Sequence, residues 1–550
     1  MMPQNRFLLL CGLILLVHAT GWFNPVFTAD SALYAAISKS FVTSGDWLNI
    51  YVDGKDWLDK PHFPFWVCAL SIQLFGATTF AYKLPSLLFF ALGLFYTWRL
   101  AKSLHNEAVA QIAVLVLATG LHLFLSNNDV RAEAILLGLV MGAAFHLHRL
   151  SQQFVWKDLL AAAFFGAAAV MTKGIFVLFI FYGAVFGQLF FNRQWQQLFR
   201  KRWLGVLLLT ALFTLPELYA LYQQFDLHPE KTVFGQQGVS GLWFFIWDSQ
   251  FGRFFNTGPI TGKGDVFFFV HTLLWAFAPW ALLALVALIH GRLPKAKLAT
   301  SKTNFSFFGF VPMFLLFSLS SFQLPHYTNI IFPFLAILLA VWWQELADRR
   351  WVQRLAGVSI HLYVGLYLLL TIYLGLVWGL SNHWLWPVSV VLLLVVLIGY
   401  FNFVCQFSAQ WRQLLLGVMA TGAFVFYLNI GFYNNILAAQ SGVAAARYLN
   451  TNYEKQMIVN MPGDWLFEFY TQQRVLPATT LEALNLKDAQ RANAVLYADQ
   501  EILRKLEEKN IAFELLQQFN HFHTTKLTGR FLNPATRAEV LQRRYLLRLR

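Results

Sequence analysis

The sequence predicts a mainly α-helical polytopic membrane protein that ends in a soluble α/β domain, and three observations predict it. Of 550 residues, 58% are hydrophobic and only 12% charged, about half the charged share of a soluble domain. Apolar runs close to the ~20 residues needed to cross a bilayer recur along most of the chain. After Asn435 the composition changes to a soluble pattern. Length alone would suggest several soluble domains, but a mean hydropathy of +0.52 overrides that prior.

About thirteen segments qualify as spans: 6–23, 80–102, 107–125, 131–149, 157–172, 174–192, 203–222, 266–290, 305–322, 327–343, 355–379, 384–404 and 411–433. The first resembles a secretory signal, with Arg6 before an apolar run from Phe7 to Val17. The run continues through Trp22-Phe23 without a clear small-x-small cleavage site, so an uncleaved span is expected. Placing the N-terminus in the cytoplasm tests the set against the positive-inside rule. Inner loops then carry Arg99 and Lys102; Arg149 and Lys157; Arg193, Arg200, Lys201 and Arg202; Arg292, Lys295, Lys297 and Lys302; Arg349, Arg350 and Arg354; and Arg412. Short outer loops are poor in Lys and Arg, with Arg131 and Lys173 as exceptions. The net charge of +14 then reflects attraction to the anionic inner leaflet rather than nucleic-acid binding. An odd number of spans puts the tail outside. The expected division is a transmembrane domain over 1–435 and an outer soluble domain over 436–550.

Two outer loops are long, 24–79 and 225–265, and long loops in a compact architecture are usually functional. In the first, Leu33, Ile37 and Phe41 recur at helical spacing, as in a helix lying in the interface. Residues 62–75 form a second interfacial helix too short to span. The other loop is rich in Gly and Gln and contains the aromatic run from Trp243 to Phe254. In the tail, 457–460, 494–497, 513–516 and 544–549 read as strands and 500–509 as a helix. Cys11, Cys68 and Cys405 are far apart, and their spacing offers no metal or redox motif.

The polar residues that need explaining fall on the outer side: Asp30, Asp53, Asp59, Lys60, His62, Asp129, Arg131, Glu133, Lys173, Asp248, Arg253, His271, His326 and Tyr327. Transporters place ionisable residues at mid-membrane; these lie at span ends and in loops, as in an enzyme acting on a lipid-borne substrate. Asp30 is either the N-cap of the first-loop helix or a general base toward an acceptor hydroxyl. Asp129 and Glu133, at i and i+4, fall on one helix face; they either cap and pair with Arg131 or orient the acceptor. Lys60, held before Pro61, either snorkels or meets a phosphate. Arg253, between Phe251 and Phe254, is an interfacial anchor or a fork for a phosphate. Asp59, His62, Lys173, Asp248 and His326 are further candidates for touching substrate. His521 and His523 alternate on a strand and are expected to be exposed. The other classes considered are a transporter, hinted at by Glu217 and the span histidines, and a scaffold that presents the C-terminal domain.

Certain runs occur in a fixed order over residues 1–345: Asp30-Ser31-Ala32-Leu33-Tyr34-Ala35; Gly45-Asp46-Trp47; Asp53 through His62; Arg131-Ala132-Glu133; Met171-Thr172-Lys173-Gly174; Gln250 through Phe254; Phe277-Ala278-Pro279-Trp280; and Leu324-Pro325-His326-Tyr327. As an ordered set they resemble the GT-C glycosyltransferases of the aminoarabinose transferase and protein O-mannosyltransferase group. The resemblance implies a GT-C fold with thirteen spans and an outer soluble domain. It implies an inverting transfer on the periplasmic face of a bacterial inner membrane, from a polyprenyl-phosphate-linked sugar to a hydroxyl of a lipid, glycan or protein. Asp30 would then be catalytic, with Glu133 as second acid and Asp129 nearby. Lys60 and Arg253 would hold the lipid phosphate, and Tyr327 would help to position Lys60. The sequence departs from the family pattern where Ser31 replaces a second acid, Leu33 an arginine, and Asp59 a glutamate. These departures leave the sugar, the acceptor and a divalent-metal requirement open, and no other cofactor is expected.

Overall fold

A computed structural model describes residues 2–550 apart from 27, 291–301, 379–406, 454–455, 462, 478–480 and 482–493. Among the described residues, six helices are long and apolar enough to cross a membrane: Gln4–Phe23, Thr79–Leu104, Ala132–Gln152, Pro325–Leu346, Arg350–Leu376 and Gln410–Leu437. Two bent pairs raise the number to eight: Glu107–Ala118 with Leu121–Asn128, bent by 57°, and Trp195–Phe213 with Leu215–Asp226, bent by 40°. The segments expected at 157–172, 174–192, 266–290 and 305–322 are helical too, but shorter, broken or charged at their ends. By length and composition alone, six to eight spans qualify among the described residues. The segment expected at 384–404 and the basic residues Arg292, Lys295 and Lys297 lie outside the described residues.

Helix Ala132–Gln152 runs through the middle of the bundle, buried along almost its whole length. It can pack so closely because Gly138 faces Thr79–Leu104: a Cβ there would lie 2.3 Å from the Phe89 carbonyl oxygen. The bend at residue 214 coincides with Pro216, which supplies no N–H to the preceding helix.

The first outer loop folds much as its pattern predicts. Helix Ala29–Ser44 ends at Gly45, whose φ of 74° suits a C-cap. Its N-cap is Thr28, whose hydroxyl accepts from the Ser31 N–H at 3.2 Å. Asp30 is therefore not the cap; it stands in the first turn, where the helix dipole favours a carboxylate. Strands Tyr51–Val52 and Lys55–Asp56 pair around Asp53-Gly54, both at positive φ, as a two-residue hairpin turn requires. Helix Phe63–Phe75 follows.

The C-terminal domain holds a five-stranded mixed sheet in the order Val475–Pro477, Ile458–Asn460, Val495–Asp499, Gln542–Leu549, Phe513–His521. The strand expected at 513–516 extends to His521, and Val475–Pro477 was not anticipated. The domain is clamped to the first outer loop. The buried Lys39 ammonium donates to the carbonyls of Glu468, at 2.7 Å, and Thr471. The Tyr470 hydroxyl accepts from the Val26 N–H at 3.0 Å. His521, expected to be exposed, is buried, with its Nδ1 2.8 Å from the Ser441 hydroxyl; the alternation pattern missed that this end of the strand is covered by helix Ser441–Asn452.

Candidate active site

Two cavities lie side by side at the end of the bundle that carries the long loops 24–79 and 225–265. The first, of about 210 Å³, is charged at one end and aromatic along its walls. Its charged end holds Asp59 and Lys60 from the first outer loop, Lys173 from the end of helix Trp156–Lys173, and Arg253 from the other long loop. Its walls include Phe176, Phe179, Phe251, Phe254, Phe317 and Phe322. Phe179 and Phe255 in its wall are exposed, so the cavity opens to the surface between apolar side chains.

The cations arrive with partners. Lys60 donates to Asp59 at 2.5 Å, and Arg253 donates to the other oxygen of the same carboxylate. Burial alone would raise the Asp59 pKa; Lys60 and Arg253 outweigh it and hold it at about 2. Burial lowers the Lys60 pKa to about 8 against the opposing pull of Asp59. Lys173 pairs with the buried Glu133 carboxylate, and its ammonium lies 4.2 Å from the centre of the Tyr327 ring. Three cations thus face two carboxylates, an excess of one positive charge suited to a phosphate.

The second cavity, of about 330 Å³, is lined by Thr28, Asp30, Lys83, His122, Asp129, Arg131 and His326 among others. Arg131 bridges the two acids, donating at 2.5 Å to Asp30 and at 2.5 Å to Asp129. Asp129 also accepts from the Thr28 hydroxyl at 2.7 Å. The Asp30 side chain is 58% exposed, which leaves it open to a substrate despite the arginine.

One layer of side chains divides the cavities. Glu133 touches Lys173 in the first, and its second oxygen is 3.8 Å from His326 Nε2 in the second. His326 and Tyr327 are neighbours in sequence, yet they line different cavities. Tyr34, one helical turn after Asp30, lies within electrostatic reach of both Asp59 and Asp30; burial, then these two acids, raise its pKa.

The structure thus brings together Asp30 with Asp129, and Lys60 with Asp59, Lys173, Arg253 and Tyr327, with Glu133 and His326 in the wall between. Three expectations need correcting. Asp129 and Glu133 do not share a helix face: Asp129 ends helix Leu121–Asn128, Val130 takes a φ of 49°, and a new helix starts at Ala132. The left-handed residue turns the two acids to different neighbours. His62 does not line either cavity; it is buried against Glu217, because a ring that packs on Phe41 and Trp66 is drawn inward. Asp248 also lines neither cavity, sitting on the π-helical turn Phe244–Gly252 that leads to Arg253. The sequence reading missed Gln250, whose amide donates to the Lys173 carbonyl at 3.1 Å and joins two walls of the first cavity. Its place in the run Gln250 through Phe254 was the available signal. Among the described residues no three His, Cys, Asp or Glu side chains converge as a metal site.

Fold and site define a multi-span membrane protein with a charged, aromatic-walled cavity and an acid-lined cavity side by side at one end of its helical bundle. Residues 59–219 match the family described as dolichyl-phosphate-mannose-protein mannosyltransferase. Similar curated proteins include the undecaprenyl phosphate-alpha-4-amino-4-deoxy-L-arabinose arabinosyl transferase of Edwardsiella ictaluri, 29% identical over 64% of this chain and 62% of that protein. A second such transferase, from Sodalis glossinidius, is 26% identical over 66% of this chain and 63% of its own length. The matched part therefore spans less than two thirds of these relatives. The crystal structure of ArnT from Cupriavidus metallidurans bound to undecaprenyl phosphate superposes with a TM-score of 0.73 at 16% identity, covering 99% of this chain and 98% of that one.

Proposed function

We propose that the protein transfers a sugar from a polyprenyl-phosphate donor to an acceptor hydroxyl on the periplasmic face of a bacterial inner membrane. The observation that carries this reading is the convergence of Lys60, Lys173 and Arg253 at the head of a phenylalanine-walled cavity, one side chain away from the cavity of Asp30. A prenyl chain fits between aromatic walls that open to lipid, and its phosphate fits the excess positive charge. The curated relatives are named for an undecaprenyl-phosphate-linked aminoarabinose, which makes a polyprenyl-phosphate pentose the first donor to try.

In the proposed reaction the acceptor oxygen attacks the anomeric carbon from the side of the second cavity. Asp30 takes the hydroxyl proton. The bond from the anomeric carbon to the phosphate oxygen breaks, and its electron pair leaves with the lipid phosphate. Lys60 and Arg253 stabilise that charge as it develops; Tyr327 holds the aromatic side of the same end. Glu133, in the wall, orients the reacting sugar together with Lys173 and His326. Thirteen crossings with the N-terminus in the cytoplasm would put both cavities and the tail outside. In a cysteine-free background, Ser44→Cys should label from outside and Lys157→Cys only after permeabilisation.

The test is to incubate purified protein with a panel of polyprenyl-phosphate sugars and to measure released polyprenyl phosphate, with Asp30→Asn and Lys60→Ala as controls. Undiminished release in both variants would overturn the site assignment. A second reading, transfer to Ser or Thr of a secreted protein, is favoured by the family matched over 59–219. Sugar on a peptide acceptor, with none on a lipid or glycan acceptor, would select it.

A further inference from the structure

One helix grips the donor-binding loop from below, and its strongest hold is a buried acid outside both cavities. Glu217 and His62 have side-chain exposures of 0% and 1%. Glu217 Oε2 accepts from the His62 backbone N–H at 3.0 Å, and Oε1 lies 3.0 Å from His62 Nδ1. The other ring nitrogen, Nε2, is 2.9 Å from the Leu48 carbonyl. A carbonyl can only accept, so Nε2 carries a proton. The contact between Nδ1 and Oε1 then needs a proton of its own, on either partner, and the pair as a whole is neutral. A buried unit satisfied at every polar atom is rigid, and removing one member leaves the other unpaired.

The same helical segment holds the loop at its other end. Gln224 accepts from the Ile50 N–H at 3.0 Å and donates to the Ile50 carbonyl at 2.8 Å and to Asp56 at 3.0 Å. A π-helical turn at Tyr222–Asp226 aims it there. Lys231, just beyond, donates to Asp56 at 2.9 Å. Residues 50–62 are thus suspended between Gln224 and Glu217. Lys60 sits inside that span, separated from His62 only by Pro61, whose ring restricts the backbone between them.

We propose that Glu217 is a positioning residue for Lys60: its two contacts on His62 set where the Lys60 ammonium stands in the donor cavity. This rests on the reading that Lys60 holds the donor phosphate. Glu217 touches no substrate; it fixes the residue that does.

The test measures binding of undecaprenyl phosphate to the full-length protein in detergent micelles, alongside thermal unfolding. Wild type and Lys60→Ala come first: no binding by wild type, or equal binding by both, sinks the underlying reading rather than this inference. Given binding that depends on Lys60, Glu217→Gln should stay within about threefold of wild type, since its amide can accept from the His62 N–H and donate to Nδ1. The double variant His62→Phe with Glu217→Leu replaces both side chains by apolar groups, so no side-chain polar atom of the pair is stranded, although the His62 N–H and the Leu48 carbonyl lose these partners; the thermal melt checks that it folds. It should bind at least about tenfold more weakly, with KM for the donor rising more than kcat falls. Wild-type binding by the folded double variant overturns the proposal, and so does loss of binding in a folded Glu217→Gln.

Discussion

Asp59 holds the Lys60 ammonium at 2.5 Å on one oxygen and takes the Arg253 guanidinium on the other. One acid therefore gathers its neighbour in sequence and a cation 194 residues further on. In Asp59→Asn the two cations face each other without a counter-charge. Stability without ligand should fall by about 1–3 kcal/mol, less than for a fully buried pair because Asp59 is partly exposed. On the proposed assignment, added undecaprenyl phosphate should act as the anion that separates them. Its stabilising effect in a thermal melt should be larger in Asp59→Asn than in wild type; an equal or smaller effect would show that the two cations do not share the phosphate.

The pH dependence follows from Lys60. Its pKa is lowered to about 8, chiefly by burial, and the ammonium is the form that holds a phosphate. On the proposed role of Lys60, donor binding should be complete below that value and lost as pH rises through it. For free enzyme, kcat/KM should fall by about tenfold per pH unit above the lysine pKa. Lys60→Arg stays charged and should give a flat profile to about pH 9.5 at lower activity. A falling limb unchanged in Lys60→Arg would assign it to another group.

Asp30 and Lys60 occupy different cavities, so their variants should fail differently. Asp30→Asn should lower transfer by roughly 10²–10⁴-fold while leaving undecaprenyl phosphate binding near wild type. Lys60→Ala should weaken binding itself. Parallel titrations and turnover assays separate the two; joint loss of binding would merge the sites.

Lys39 should hold the C-terminal domain in place. Lys39→Met leaves the carbonyls of Glu468 and Thr471 without this donor, at a cost of about 1–3 kcal/mol. Limited proteolysis should release the domain faster than in wild type, and an unchanged digestion rate would argue that the contact is incidental.

Gly174 has a φ of 103°, and a Cβ there would stand 2.1 Å from the Gln250 amide nitrogen. Gly174→Ala should destabilise the protein by about 1–3 kcal/mol. It should also lower activity, because the displaced Gln250 precedes Arg253 on the same turn. Retention of both stability and activity would mean that the Lys173–Gln250 contact is dispensable.

Much of this protein is set by its sequence alone. Apolar runs and basic loops define a multi-span chain, since neither can be satisfied in water or in lipid exchanged for the other. The two helices of the first long loop and most strands of the tail follow from local pattern. The prominence of Asp30, Lys60 and Arg253 was also legible, because charges are rare in such a chain and stand out. What only the tertiary structure decided is who meets whom. Val130 in a left-handed conformation sends Glu133 to Lys173, away from Asp129, although their spacing suggested one face. His62 turns inward to Glu217, and His326 and Tyr327 part into separate cavities. The pairs Glu133–Lys173 and His62–Glu217 join residues 40 and 155 positions apart. Local periodicity carries no information on them, because packing and the need to pair every buried charge choose among many neighbours that are equal in sequence terms.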